Sequence, residues 1–294
     1  MDIRTMQYFL AVAREGSITK AAEALHMTQP PLSRQMIELE AELGVALLDR
    51  SGKRVALTED GRAFRERAQE VVDLMESIRC DMAAGSEAVT GEVRIACGET
   101  DAVAFLARAA EQLRRDHPSV TYRLLSGDGD FVMEKLERNA ADLGLLVVSS
   151  VDSGRFGFLR VPAKDTWGVL MREGDELARK ERIERADLIG RPLLLPYRAA
   201  MGSDLMSWFE PDRDEIDVVA TYDLAYNASR FAREGFGYAV ALAGIVDVTA
   251  GSGLAFRPLA PRLEADLFLV WKRDQRLSRA AKAFLDRVTE LAQG

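Results

Sequence analysis

Side chains that build metal centres or covalent staples are scarce in this chain. Its 294 residues include two cysteines, Cys80 and Cys97, and two histidines, His26 and His117. Neither a disulfide framework nor a zinc site with dedicated ligand spacing can be assembled from them. Both cysteines read as small apolar filler in a reducing compartment. A long hydrophobic run is missing too: the longest, Phe236 to Val246, stops after eleven residues at Asp247, short of the roughly 18–20 that cross a bilayer as a helix. The apolar stretch Tyr8 to Ala13 gives way at Arg14 and Glu15 before reaching the length of a secretory signal core. A cytoplasmic chain without membrane contact is expected. With 39 Lys and Arg against 47 Asp and Glu, net −8, the chain is no bulk polyanion binder, so any nucleic-acid surface has to be local.

Hallmarks of catalysis are absent as well. There is no GxSxG elbow, P-loop or HExxH, and Gly127-Asp128-Gly129 lacks the third glycine of a dinucleotide turn. His26 falls in a turn between helices and His117 sits beside Pro118, so no histidine-based acid–base pair is evident. No catalytic residue, metal or cofactor is expected. What the composition offers, 48% hydrophobic and 29% charged residues, suits a chain of about two domains with sizeable cores.

The first 60 residues keep helical time. Met6, Phe9, Leu10 and Ala13 mark one face of a first helix that Gly16 ends, and Ser17 caps a second carrying Ile18, Ala21, Ala22 and Leu25. After His26-Met27, Thr28 is the expected N-cap of a third helix, with Gln29-Pro30-Pro31 in its first turn. Leu32, Met36, Leu39 and Leu43 form its buried stripe, and Pro30, Ser33, Arg34 and Ile37 its opposite face. Two short helices joined by a tight turn, the second opening with small polar groups and an arginine, are how a helix enters a DNA major groove; a plain helical hairpin would show the same spacing. The turn Arg50-Ser51-Gly52-Lys53-Arg54 between two short apolar runs favours the DNA reading, since clustered cations on a wing can hold phosphates beside a probing helix. Seven cations against nine acids over residues 1–60 make this head mildly acidic, so where its charges sit matters more than their sum.

From Thr58, with Glu59 and Asp60 in its first turn, a long helix carries Phe64, Ala68, Val71, Met75, Ile78 and Met82 at alternating spacings of four and three. That is a heptad seam whose natural partner is a second copy; lying along the second domain is the alternative. Gly85 to Gly91 reads as a hinge. Beyond it strands and helices alternate: Val93 to Cys97, a helix over about 101–115, Val120 to Leu124, a helix over about 131–138, then Leu143 to Val148. Trp167 to Met171, Leu193 to Leu195, Val218 to Ala220, Tyr238 to Leu242 and Leu267 to Trp271 add strands, and a last helix presents Ala280, Phe284, Val288 and Leu291. The fold class is α/β after a helical head.

The run from Met6 to Gly61, MQYFLAVAREGSITKAAEALHMTQPPLSRQMIELEAELGVALLDRSGKRVALTEDG, closely resembles the N-terminal domain of LysR-type transcriptional regulators. The resemblance implies a winged helix-turn-helix over 1–58, with Thr28, Gln29, Pro30, Ser33 and Arg34 on the DNA face and Arg50, Lys53 and Arg54 on the wing. It further implies a dimerisation linker helix over 59–84 and a two-lobed effector-binding domain of the type II periplasmic-binding-protein fold over 91–294. In that fold lobe I takes about 91–161 and 266–294, and lobe II about 162–265. Partners then are double-stranded DNA and a second copy, as dimer or tetramer, with RNA polymerase a further candidate and a small-molecule co-inducer of unknown identity the ligand. By loop position the effector candidates are Thr100, Asp128, Tyr197, Arg198, Tyr222 and Phe236; a helix N-terminus at Thr100 facing Arg198 suits an anion, against which Glu99, Asp101, Asp128 and Asp223 crowd the same loops. The sequence departs from the family's pattern at Gly98, where a small hydroxyl is usual, and at Ala140, where glycine is common. A transporter-type solute receptor or an enzyme on the same α/β fold is the alternative, which the first 60 residues disfavour.

Overall fold

The computed structural model describes residues 1–52, 54–82, 89–148, 150–200 and 204–293. Lys53, the Met82 side chain and most of the expected hinge lie outside the described residues. The chain forms two compact units, Met1–Glu87 and Ala88–Gly294.

The first unit holds α1 (Ile3–Glu15), α2 (Ile18–Ala24), α3 (Gln29–Leu43), the two-stranded wing β1 (Leu48–Asp49) and β2 (Ala56–Leu57), and α4 (Glu59–Met82). Local chemistry sets these boundaries. The Asp2 carboxylate accepts the Thr5 N–H at 2.8 Å to open α1, Gly16 closes it with φ 60°, and Ser17 accepts the Lys20 N–H to open α2. Leu32, Met36 and Leu39 of α3 join Phe9, Val12, Ala21 and Ala22 in the core, where the two small alanines let the helices approach. The Phe64 ring of α4 packs edge-to-face on Phe9 with centroids 4.9 Å apart, and Ala68 is buried. The seam expected from Phe64 to Met82 is therefore divided. Its first two members are used inside the head, whereas Val71 and Ile78, together with Leu74, are exposed.

The second unit begins with β3 (Gly91–Cys97), α5 (Val103–Asp116), β4 (Val120–Ser126), α6 (Gly129–Glu137) and β5 (Leu143–Val147). The long β6 (Phe156–Arg172) leads to the short β7 (Ile183–Glu184), then β8 (Pro192–Pro196), α7 (Tyr197–Ala200), α8 (Asp204–Trp208), β9 (Asp217–Tyr222), α9 (Ala225–Arg233) and β10 (Tyr238–Leu242). The chain returns through β11 (Leu254–Ala260) and β12 (Glu264–Lys272) to α10 (Arg279–Gln293). Strands run in the order β4-β3-β5-β12-β6-β10-β8-β9.

Two lobes share that sheet. In lobe I the parallel β3, β4 and β5 are covered by α5 and α10 on one face and α6 on the other, burying Ile95, Leu106, Leu145 and Phe284 in one core and Val132, Leu136 and Val270 in the second. Lobe II repeats the plan with parallel β8, β9 and β10. The crossing strand is β6: its first part pairs with β12 up to Thr166↔Glu264, and from Trp167↔Leu242 onward it pairs with β10. An ion pair stiffens lobe I, where the Asp142 carboxylate, nearly buried, accepts the Arg94 guanidinium at 2.8 Å and the Arg94 backbone N–H at 2.8 Å.

Candidate functional site

On the head, α3 projects its N-terminal turn. Thr28, Gln29, Pro30 and Arg34 are exposed and Ser33 half-buried. Thr28 occupies the N-cap position but makes no capping hydrogen bond. The reason is in the sequence: an N-cap oxygen accepts from the N–H of the second or third helical residue, and here those are Pro30 and Pro31, which have none. Thr28 is thus an exposed residue whose hydroxyl has no capping role. Ile37, 51% exposed, extends this face one turn further as an apolar contact point.

Beside it, the wing is fixed by three anchors. The Glu40 carboxylate accepts the N–H groups of Leu47 (2.8 Å) and Leu48 (2.9 Å) and pairs with the Arg50 guanidinium at 2.9 Å. Val55 donates its N–H to the Gly16 carbonyl at 3.0 Å, tying the wing to the turn between α1 and α2. The Thr58 hydroxyl donates to the Ala46 carbonyl (2.7 Å) and accepts the Gly61 N–H (2.9 Å). That seats α4 so close to β1 that a Cβ at Gly61 would stand 2.0 Å from the Leu47 carbonyl oxygen. Of the three expected wing cations, Arg54 is exposed, Lys53 lies outside the described residues, and Arg50 is turned back on Glu40.

In the second unit the carboxyl ends of both parallel strand sets meet. Arg198, at the end of β8, crosses to pair with Asp130 of α6 at 3.1 Å. Glu99, after β3, accepts the Ala225 N–H at the start of α9. Gly244, after β10, lies against Asp101 so closely that a Cβ there would come within 2.9 Å of the aspartate Cβ. A cleft between lobes, outside the carboxyl ends of the strands, is where an open α/β sheet binds ligands.

Five of the six effector candidates stand at these ends, with different occupations. Asp128 caps α6, accepting the Phe131 N–H at 2.8 Å. Tyr197 is half exposed. Tyr222 donates its hydroxyl to the Val240 carbonyl at 2.6 Å, which ties β9 to β10; burial around that oxygen, with Glu99 adding repulsion, drives its pKa far up. Arg198 is held by Asp130. Phe236 is a correction: it precedes β10, next to Gly237 against the Pro192 carbonyl at the start of β8, hence at the opposite end of the sheet, where its ring packs on Phe231. Thr100 is buried, its hydroxyl accepting the Ala102 N–H at 3.0 Å.

Asp165 was not singled out by sequence reasoning. It sits on β6 just before the strand changes lobes, 5% exposed, and its Oδ2 has no hydrogen-bond partner among the described residues. Burial pushes its pKa up, the Thr100 hydroxyl opposes this, and the Asp101 charge adds to it. The sequence signal was a lone acid followed by the apolar run Trp167 to Met171. No described group of three or more His, Cys, Asp or Glu is placed to hold a metal, and no described helix is long and apolar enough to cross a membrane.

Comparison with known proteins agrees with this division. A family model for the bacterial regulatory helix-turn-helix protein, lysR family, matches residues 3–62, and one for the LysR substrate binding domain matches residues 86–293. The transcriptional regulator YfeR of Shigella flexneri is 26% identical over 293 residues, covering 98% of this chain and 94% of that protein. The regulator BsdA of Bacillus subtilis is 38% identical over 144 residues, 48% of this chain and 49% of its own. Among solved structures, full-length CbnR complexed with its target DNA superposes with a TM-score of 0.73 at 23% identity, covering 99% of this chain and 100% of that one.

Proposed function

The chain belongs to the LysR family of transcriptional regulators, and from that premise we propose that it reads a promoter site with the N-terminal turn of α3 while its wing holds phosphate. One observation supports the reading: Thr28, Gln29 and Arg34 are exposed and Ser33 half-buried in the first turns of α3, and the prolines that follow Thr28 leave its hydroxyl without a capping task. Hydroxyls and an arginine at a helix start suit the edges of bases and the neighbouring phosphates. Arg54, exposed on the wing, is the cation proposed to hold phosphate, whereas Arg50 steadies the wing through Glu40.

The exposed stripe Val71, Leu74 and Ile78 on α4 supports pairing with a second copy, because apolar residues at three–four spacing on a surface helix gain burial from a like helix. Two heads then meet two half-sites. The apposed strand ends of the second unit support a small-molecule effector that works by preferring one lobe arrangement, since a ligand shifts such an equilibrium only through its differential affinity for the two states. The regulator acts on DNA in the cytoplasm. A mobility-shift titration with duplex DNA flanking its own gene tests the core of this: binding that survives excess random duplex is expected, and equal affinity for both duplexes would overturn base reading.

A further inference from the structure

The two lobes of the second unit are bridged by the chain's own charges. Helix α9 opens without a cap of its own: Leu224, at the N-cap position, makes no side-chain hydrogen bond, and the first turn holds no acid. The free N–H groups and the positive end of the dipole at such a helix start call for an anion. Glu99, from the loop after β3 in the other lobe, supplies it, its carboxylate accepting the N–H of Ala225. Arg198 of lobe II is met in the same way, by Asp130 of α6 at 3.1 Å. Both bonds run from a lobe II donor to a lobe I carboxylate.

Two close approaches belong to the same arrangement. Gly129, the first residue of α6, leaves room for the guanidinium, since a Cβ there would stand 2.3 Å from Arg198 Nη1. Gly244 of lobe II lies against Asp101 of lobe I with equally little room. The two bonds differ in weight. The Arg198 and Asp130 side chains are 48% and 69% exposed, so water and salt screen the pair and it contributes little alone. The Glu99 bond joins a carboxylate to a part-buried backbone N–H at a helix start, which is the stronger kind. Both carboxylates are tethered to the chain, so each is present at its position at high effective concentration.

We propose that Glu99 and Asp130 act as built-in ligands, carboxylates of lobe I that hold lobe II closed on their own, so that closure needs no effector and the switch open to this chain is release of the two bonds. The proposal rests on the effector reading above for what drives the opening; the closure itself rests on the contacts.

The test follows amide hydrogen exchange residue by residue in the full chain, for wild type, Arg198→Ala, Asp130→Asn and Gly129→Ala. Each variant breaks the Arg198–Asp130 pair by a different route: loss of the cation, loss of the negative charge, or a methyl group in the guanidinium's place. The Ala225 N–H is bonded to Glu99 and not to any of the three. If both bonds hold one closure, losing the weaker raises the open population, and Ala225 should exchange about two- to fivefold faster in all three variants. The Phe131 N–H, capped by Asp128 within lobe I, should keep its rate, or slow in Gly129→Ala, because alanine favours the helix. Glu99→Ala, which removes the Ala225 bond itself, should exceed this, at about tenfold or more. Unchanged Ala225 exchange in the three variants would make Glu99 a local cap of α9 and overturn the proposal. So would an increase shared equally by Phe131, or one seen in Asp130→Asn alone, since either places the effect inside α6. Faster Ala225 exchange with affinity for the specific duplex unchanged would uphold the closure and remove the effector reading instead, because lobe opening would then not reach DNA binding.

Discussion

Replacing Glu40 by alanine removes three hydrogen bonds at once from the turn that hangs the wing on α3. Two of them, from the Leu47 and Leu48 N–H groups at 2.8 and 2.9 Å, are bonds from backbone amides to a carboxylate whose side chain is only 16% exposed. Each such bond contributes about 1.5–3 kcal/mol, reduced where water enters the part-buried space the side chain leaves. A loss of about 2–4 kcal/mol for the head follows. The third, to Arg50, joins a guanidinium that is 37% exposed and contributes about 0–1 kcal/mol after screening. The pattern across variants is therefore the discriminating observable. Glu40→Ala should lower the midpoint of the head's unfolding sharply, Glu40→Gln much less because both amides share Oε1 and the glutamine oxygen can accept both, without the charge, and Arg50→Ala very little. In DNA binding, Arg50→Ala should also matter less than Arg54→Ala. Chemical denaturation of the full chain, followed by hydrogen exchange at the Leu47 and Leu48 amides, reads this out. Equal destabilisation by Arg50→Ala and Glu40→Ala would refute the reasoning, because the ion pair and not the amides would then hold the turn.

Other consequences are equally concrete. Gly61→Ala puts a Cβ 2.0 Å from the Leu47 carbonyl oxygen; pushing α4 off the wing should cost about 1–3 kcal/mol, seen as a lower melting midpoint with weakened DNA binding. Val71→Asp with Ile78→Asp alters side chains 37% and 45% exposed in the single chain, so the folded helix content in circular dichroism should hold while sedimentation shows loss of the dimer; an unchanged dimer would place the seam elsewhere. The Cys97 thiol, buried and pushed up to about 11 by desolvation, stays protonated at neutral pH and should resist alkylation in the native chain, with peptide mass mapping after iodoacetamide showing it unmodified.

The helix-turn-helix was legible because its signals are local. Gly16, Ser17 and Gly44 each set a helix end within one turn of themselves, and the stripe Leu32, Met36 and Leu39 is buried as its spacing requires. Thr28 shows the limit of such reading: its place at the helix start was clear, yet whether its hydroxyl caps depended on the second and third helical residues, Pro30 and Pro31, which have no N–H to donate. The second unit was legible as alternating strands and helices, but the first part of β6 and the whole of β11 were not. Residues 156–166 pack on lobe I and 167–172 on lobe II, so one strand carries two burial patterns, and β11 has Arg257 and Pro258 at its centre. Side-chain partners far apart in sequence were out of reach altogether. Nothing near Arg198 announced Asp130, whereas the position of Phe236 before the strand Tyr238–Leu242 already put it at that strand's amino end, away from the loops with which it was grouped.

Base reading by α3 is the claim on which the regulator account stands, and the Arg34→Ala variant tests it most directly. Affinities of wild type, Arg34→Ala and Arg54→Ala are measured for the specific duplex and for random duplex across a range of salt. Arg34→Ala should lose about 1–3 kcal/mol on the specific site and little on random DNA, while Arg54→Ala weakens both and reduces the salt slope by about one. Equal losses on specific and random DNA for Arg34→Ala would contradict the account, leaving α3 a phosphate-binding helix with sequence read elsewhere.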